Sequence, residues 1–344
     1  MKNHYSAPTI AELLPEHELT HQDGPQGEIL ILRTGHEHGG IYNGTAPIKI
    51  GEKTLIAARV DYPGSEEADT EFFCRNGSPT SYDYDPSLPT LRGLQDPSIT
   101  VIGDEYYVGG VRVYVKETNN NGRVNRKIVD WDPVLRKVSS LGELDDSRPA
   151  DVVGPMGSKG LHPLGKDGEL AGHFIRTADG KDHRGKVRYL PLENGQEITP
   201  DALATAPVVE PFIADRFGEW GGISQPEYVE EHLILAAMHL ARFGRLARGV
   251  KPKDYYGGLA LLEEEMFKGK VRRLNVVTQM LVSCRSCFPN ADTNGNVIVP
   301  KSEGLENVSY LKGVSLEEQM GYCGVSDSAY GRLAVGQALS KIAA

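Results

Sequence analysis

One carboxylate and a small set of basic side chains stand out by their placement. Asp96, in the stretch GLQDPSITVI, sits directly before a Pro and a run of Ile, Thr and Val. A carboxyl group at the mouth of an apolar strand is placed for proton transfer to a bound ligand. Arg59 in TLIAARVD, Arg112 in GGVRVYV, Arg176 in GHFIRT and His239 in LILAAMHLA each fall in the second apolar strand of a strand–turn–strand unit. An arginine in such a strand is costly unless it is paired or holds a ligand. Arg59 has a candidate partner in Asp61, and that pairing is the alternative to a ligand. One acid among several inward cations suits transfer to or from an anionic group such as phosphate, which Arg grips through a fork and Lys as a point charge. Hydrolysis of a glycoside by inversion needs a second carboxylate to activate water, and Glu306 and Asp61 are the candidates.

The elements that must position these groups follow a repeating plan. Ala46-Pro47-Ile48 leads to Leu55–Val60, Asp96-Pro97-Ser98-Ile99 to Tyr106–Val111, His162-Pro163-Leu164 to Leu170–Ile175, and Gln225-Pro226-Glu227-Tyr228 to Leu233–Leu240. In each, a Pro opens a short apolar strand, a turn follows on Gly or acidic residues (Gly51-Glu52, Gly103-Asp104, Asp167-Gly168, Glu230-Glu231), and a second apolar strand begins. A fifth unit, Glu306–Tyr310 then Gln319–Val325, has the same shape without the Pro. Units of this length with several strands predict an all-β fold, a five-bladed β-propeller. A sandwich or barrel of unrelated hairpins is the alternative. The expected organisation is a short N-terminal extension over residues 1–28 and one propeller domain over 29–344. Helical signals are few: a short amphipathic turn at Ile10–Leu14 and a helix-like composition at Leu259–Phe267. In a propeller the residues before each inner strand converge on a funnel, here Asn43, Gln95 with Asp96, Lys159 with His162, Gln225, and Glu306 with Asn307. Polar residues at every mouth predict a binding site, against the alternative that they cap strand ends.

Composition narrows the partners. The 344 residues carry a net charge of −10, with 37 basic and 47 acidic side chains. Such a chain is repelled by phosphate backbones and anionic membranes, so nucleic acid and membrane are not expected partners. No run approaches the length of a membrane span, the N-terminal stretch lacks an apolar signal core, and four Cys do not make a disulfide framework. A cytoplasmic location is expected, with no cofactor.

Three motifs are set aside. Cys284-Arg285-Ser286-Cys287 is a single CxxC with no second pair and no His nearby in the sequence, so no metal is expected there. Gly35-His36-Glu37-His38-Gly39-Gly40 reads as a loop bordering the funnel. Gly109-Gly110, inside a strand and with no helix after it, is expected to admit a neighbouring backbone or a ligand.

The order and spacing of TLIAARVD (54–61), LQDPSITVIGDEYYV (94–108), LHPLGKDGELAGHFIRT (161–177), WGGISQPEYVEEHLILAAMHLA (220–241), YYGGLALLE (255–263) and YCGVSDSAYGRLAV (322–335) resemble a known enzyme group. Over roughly residues 29–336 the chain is similar to the five-bladed propeller enzymes of glycoside hydrolase family 130. It is more similar to the related glycosyltransferase family 108, the β-1,2-mannosyltransferases and phosphorylases. The resemblance implies an inverting enzyme moving mannose between mannose 1-phosphate and β-1,2-mannooligosaccharides, with inorganic phosphate as co-substrate. It implies Asp96 as the general acid, acting directly or through a sugar hydroxyl. Arg59, Arg176, His239 and either Lys159 or Lys166, with Lys159 preferred, would contact phosphate. Asn43, Asp61, Gln95, Arg112, Gln225 and Asp327 would contact sugar, with Tyr256 or Tyr322 stacking on a ring. Gln95 and Ser98 stand where family 130 has Glu and Arg, which favours the transferase family. A propeller hydrolase and a non-catalytic glycan-binding propeller are the competing expectations.

Overall fold

The computed structural model describes residues 7–20, 26–65, 67–120, 123–178, 185–193, 196–209, 218–243, 253–291, 298, 307–326 and 329–342. Its regular structure is nearly all β. A helix, α1 (Ile10–Thr20), precedes the short strands β1 (Glu28–Ile29) and β2 (Ile31–Arg33). Then β3 (Gly40–Tyr42), β4 (Ile48–Ile50), β5 (Lys53–Asp61), β6 (Ala68–Arg75) and β7 (Ser81–Tyr84) join β2 in a six-stranded sheet. β8 (Leu94–Ile102), β9 (Glu105–Asn120), β10 (Arg123–Val138) and β11 (Val152–Val153) form a four-stranded sheet. β12 (Lys159–Lys166), β13 (Glu169–Arg176) and β14 (Val187–Pro191) form a third, followed by α2 (Pro200–Thr205). The largest sheet contains two antiparallel meanders. One is β15 (Trp220–Glu230), β16 (Leu233–Phe243), β17 (Lys253–Phe267) and β18 (Lys270–Ser283), and the other is β19 (Asn307–Ser315), β20 (Met320–Val325) and β21 (Ala329–Ala334). A short parallel pairing of Asp254 and Tyr255 with Asn307 and Val308 connects them. A last helix, α3 (Gly336–Ile342), ends the described chain.

The path closes on itself. β1 pairs with β21 and the strand that follows it, β2, pairs with β7, so residues 28–33 tie the last sheet to the first. Buried apolar clusters fill the spaces between successive meanders. Leu55, Phe72, Ile99 and Val134 join the first to the second, and Tyr107, Leu161 and Ile175 the second to the third. Leu164, Phe174, Ile234 and Met238 join the third to the fourth, Leu235, Leu311 and Val325 the fourth to the last, and Ile41, Ile56, Tyr322 and Tyr330 the last to the first. Each cluster removes large side chains from water, at about 1.5–3 kcal/mol apiece. The result is a propeller-like ring of sheets whose first strands face one centre.

The sequence reading needs two corrections. Leu259–Phe267 is not helical; it lies in β17. That strand runs between β16 and β18 with Tyr256 to Leu262 all buried, so it lacks the alternation that marks a strand with one wet face. The prolines at 97, 163 and 226 do not open their strands but lie inside β8, β12 and β15. They are tolerated because each stands next to or within an interruption of the ladder.

Candidate active site

A cavity of about 540 Å³ opens where the inner strands meet, a size typical of small-molecule sites. Irregularities in those strands furnish it. The ladder skips between Gln95 and Ser98 in β8, Lys159 and His162 in β12, Ile223 and Gln225 in β15, and Leu311 and Gly313 in β19. A bulge leaves a residue unpaired and re-aims its side chain. The residues so released include Asp96, Ser224 and Lys312, and all three line the cavity. Asn43, after β3, and Asp96 both take left-handed backbone, with φ of 52° and 50°, a region that Asn and Asp enter more readily than other side chains.

Asp96 is the hub. Its Oδ1 accepts a hydrogen bond from Asn43 Nδ2 at 2.6 Å and lies 3.6 Å from Arg59 NH1. Its Oδ2 is 3.7 Å from Lys159 Nζ. Tyr310 donates its hydroxyl proton to Asn43 Oδ1, which orients the amide toward Asp96. Arg59 is fixed from the other side: its Nε donates to Asp61 Oδ1 at 2.7 Å, and its guanidinium sits 5.0 Å from the centre of the Tyr42 ring. Lys159 is paired across the ladder with Arg176 and lies 5.4 Å from the Trp131 ring. Arg176 NH1 is 3.4 Å from His239 Nε2. Gly222 faces His239 across the ladder, and a Cβ there would stand 2.6 Å from His239 Cε1. The ring occupies its place because residue 222 has no side chain. Gly110 likewise lies close to a neighbouring backbone, since a Cβ there would stand 2.7 Å from the Gln95 carbonyl oxygen.

The cavity is electropositive. Among the described lining residues Arg59, Lys159, Arg176, Lys253 and Lys312 stand against two carboxylates, Asp61 and Asp96. Burial would raise the Asp96 carboxyl, but Lys159, Arg59, Lys312 and the Asn43 amide together hold it well below the usual carboxylate range. Burial pulls Lys159 and Lys312 below the ordinary lysine value, and their cationic neighbours add to this against the opposing pull of Asp96. Burial, then Arg176, Lys312 and His162, push His239 well below its ordinary value. Burial and Lys312 lower His162 to about 3. Both imidazoles are therefore neutral at pH 7. A crowd of cations that raises its own electrostatic energy is relieved by a bound anion.

Of the residues expected at the site, Asn43, Arg59, Asp61, Gln95, Asp96, Lys159, His162, Arg176 and His239 all line this cavity. Lys166 does not; its Nζ reaches the Glu231 carbonyl, whereas Lys159 lies in the cavity beside Asp96. Arg112 lies outside the lining and forms a two-pronged pair with Asp132. Gln225 is displaced by the bulge in β15: Ser224 faces the cavity, while Gln225 Oε1 accepts from the Val314 amide. Tyr256 and Tyr322 belong to apolar clusters between sheets; Tyr256 bonds Arg242, and Tyr322 bonds Glu318 and packs on Tyr330. Asp327 and Glu306 lie outside the described residues. The loop at 35–40 does not line the cavity, and His36 pairs with Glu71 at 2.7 Å. Lys312, Tyr255, Tyr310 and Trp131 line the site without having been anticipated. The available signal for Lys312 was a lone cation inside the apolar run VSYLKGV of the unit that lacks a Pro.

Comparison with solved structures shows a shared fold. The chain is similar to MPT-1, a GDP-Man-dependent mannosyltransferase from Leishmania mexicana, at 20% identity and TM-score 0.71, covering 94% of each chain. It is similar to MPT-4, a mannose phosphorylase from Leishmania mexicana in complex with phosphate ion, at 18% identity and TM-score 0.70, covering 93% of this chain and 92% of that one. A hypothetical protein from Leishmania major matches at 19% identity and TM-score 0.69, covering 94% and 93%. No curated protein matches the sequence. Residues 21–341 match the family model described as protein of unknown function (DUF1861), and the chain belongs to that family.

Proposed function

We propose that this protein is an inverting mannosyl-transfer enzyme on a five-bladed β-propeller, moving mannose between mannose 1-phosphate and β-1,2-mannooligosaccharides. The observation that carries the reading is a single hub carboxylate, Asp96, with Arg59, Lys159, Lys312 and Arg176 gathered around it. The blade count is supported by the apolar clusters, one between each pair of successive meanders. The fold shared with a mannosyltransferase and a mannose phosphorylase supports mannose and phosphate as the reactants.

In phosphorolysis a phosphate oxygen forms a bond to the anomeric carbon as the β-glycosidic C–O bond breaks on the opposite face. Asp96 gives a proton to the departing oxygen, directly or through a sugar hydroxyl. The products are α-mannose 1-phosphate and a shortened mannoside. In synthesis the carboxylate takes the proton from the acceptor hydroxyl. Arg59, Lys159, Arg176 and Lys312 hold the phosphate, with neutral His239 as a hydrogen-bonding partner. Asn43, Gln95 and Ser224 contact sugar hydroxyls. The charge arrangement links binding to chemistry: the ligand-free carboxyl is kept ionised by its cations, ready to act as base. A bound phosphate dianion offsets those cations and raises the carboxyl toward the range in which it carries a proton.

Hydrolysis is less well served. Apart from Asp96, Asp61 is the one carboxylate among the described lining residues, and Arg59 and the Tyr42 hydroxyl both bind it. Incubation with β-1,2-mannobiose with and without phosphate tests the reading. Mannose 1-phosphate that accumulates only with phosphate supports it, whereas sugar release at the same rate without phosphate rejects it.

A further inference from the structure

The cysteine motif set aside on sequence grounds acquires a partner in the fold. His17, on α1, reaches a short 3-10 turn at Arg285–Cys287 that follows β18. His17 Nε2 lies 3.3 Å from Cys284 Sγ and 3.6 Å from Cys287 Sγ, and the two sulfurs are 3.6 Å apart. These are the edges of one face of a coordination tetrahedron. Zinc bonds of ~2.3 Å to sulfur and ~2.0 Å to nitrogen place tetrahedral ligands ~3.8 Å apart for a sulfur pair and ~3.5 Å apart for sulfur and nitrogen. The residues are held for this arrangement. The Cys284 amide donates to Cys287 Sγ at 3.4 Å and the Cys287 amide to the Cys284 carbonyl at 3.1 Å, which wraps the turn around the two sulfurs. Backbone N–H groups aimed at sulfur also orient and stabilise thiolate ligands.

We propose that His17, Cys284 and Cys287 bind one zinc ion, with a solvent molecule as the fourth ligand. Two thiolates and an imidazole select zinc and related soft divalent ions over magnesium or calcium. His17 and Cys287 are buried, and Cys284 is half-buried beside the exposed Ser286, whose hydroxyl lies 2.9 Å from the Cys284 sulfur and leaves a solvent approach on that side. None of the three lines the central cavity, so the ion takes no part in the transfer chemistry. It joins α1 to the end of β18, two segments 267 residues apart along the chain at the His17–Cys284 contact. Metal binding that the unfolded chain cannot reproduce adds to folding stability.

Cobalt titration of the full chain, stripped of metal by a chelator and kept reduced, tests this. The expected result is a thiolate-to-cobalt charge-transfer absorption that saturates at one equivalent and is bleached by added zinc. Cys284→Ser and His17→Asn should lose or weaken that absorption, while Cys74→Ser, on β6 away from the cluster, should keep it in full. The same wild-type protein should show a rise in melting temperature on addition of zinc. Absence of a charge-transfer band in wild-type protein whose thiols titrate as free overturns the proposal. So does a band of full strength in a folded Cys284→Ser variant. The wild-type titration decides the matter even where a variant fails to fold.

Discussion

Asn43 directly follows β3 of the first sheet and Asp96 lies in β8 of the second, yet the amide of one donates to the carboxylate of the other at 2.6 Å, and both stand in left-handed backbone. Asn43 follows the end of β3 and Asp96 interrupts the ladder within β8, both at the cavity wall. The carboxylate is thereby held by a neutral donor on one side and by Arg59 and Lys159 on the others. Asn43→Asp keeps the shape and replaces the donor with a second carboxylate. A like charge at hydrogen-bond distance raises a carboxyl by about one to three pH units. In the synthetic direction, where Asp96 acts as the base, the acid limb of the pH dependence of kcat/KM should move upward accordingly; an unmoved limb would mean that Asn43 only caps its strand.

Asp96→Asn removes the proton carrier and leaves the volume unchanged. Loss of a general acid or base costs about 10²–10⁴-fold in rate. The expected outcome is a fall in kcat of that order with the circular dichroism spectrum unchanged, and a lower melting temperature, because Arg59, Lys159 and Lys312 lose their counter-charge. Full activity in this variant would remove Asp96 from the chemistry.

Lys312→Met separates binding from stability. Burial and the nearby Lys159 and Arg59 disfavour the charged form of Lys312, so its charge opposes folding of the ligand-free protein at pH 7. The variant should melt at the wild-type temperature or above it in phosphate-free buffer. Added phosphate should stabilise it less than wild type, because a ligand stabilises only in proportion to its affinity for the native state. The KM for phosphate should rise by about tenfold or more, as befits a lost hydrogen bond to a charged group of ~1.5–3 kcal/mol.

Gly222→Ala tests whether the placement of His239 matters. The added Cβ at 2.6 Å from His239 Cε1 forces the ring or the strand to move, at a cost of about 1–3 kcal/mol typical of overpacking. A lower melting temperature together with a raised KM for phosphate is expected. A purely structural role for the ring would lower the melting temperature and leave KM where it was.

How much of this was legible beforehand varied with the physics of each element. The apolar strand runs and their turns exposed the meanders, and the cations inside those runs exposed Arg59, Arg176 and His239. The bulges were invisible, because a one-residue irregularity leaves no mark in composition. That is why Gln225 was expected where Ser224 stands. Tyr256 and Tyr322 were expected at the ligand because a Tyr serves equally well in a core or at a sugar, and only packing decides. β17 resembled a helix because a strand buried on both faces shows no period of two. The contact of His17 with Cys284 spans 267 residues, beyond the reach of any local spacing rule.

Acid stability should carry the mark of a buried histidine outside the site. His173 is fully buried, neither ring nitrogen has a hydrogen-bond partner among the described residues, and burial lowers it to about 4. Between the ordinary unfolded value near ~6.5 and this folded value, the unfolded chain binds a proton that the native protein does not, so stability falls as pH falls through that window. Replacement by a residue that does not titrate, His173→Leu, should flatten the dependence of unfolding free energy on pH by about 1.4 kcal/mol per pH unit there. Denaturant melts from pH 7 to pH 5 check this, and parallel profiles for the two proteins would show that His173 titrates alike in both states.

The transfer reaction itself is best followed in the synthetic direction by phosphorus and proton nuclear magnetic resonance. α-Mannose 1-phosphate is mixed with a mannose or mannobiose acceptor and the wild-type protein. Release of inorganic phosphate in step with a new β-1,2 linkage, with both lost in Asp96→Asn, is the predicted result. No phosphate release with either acceptor, or a product linked through the α configuration, would contradict inverting mannosyl transfer at this site.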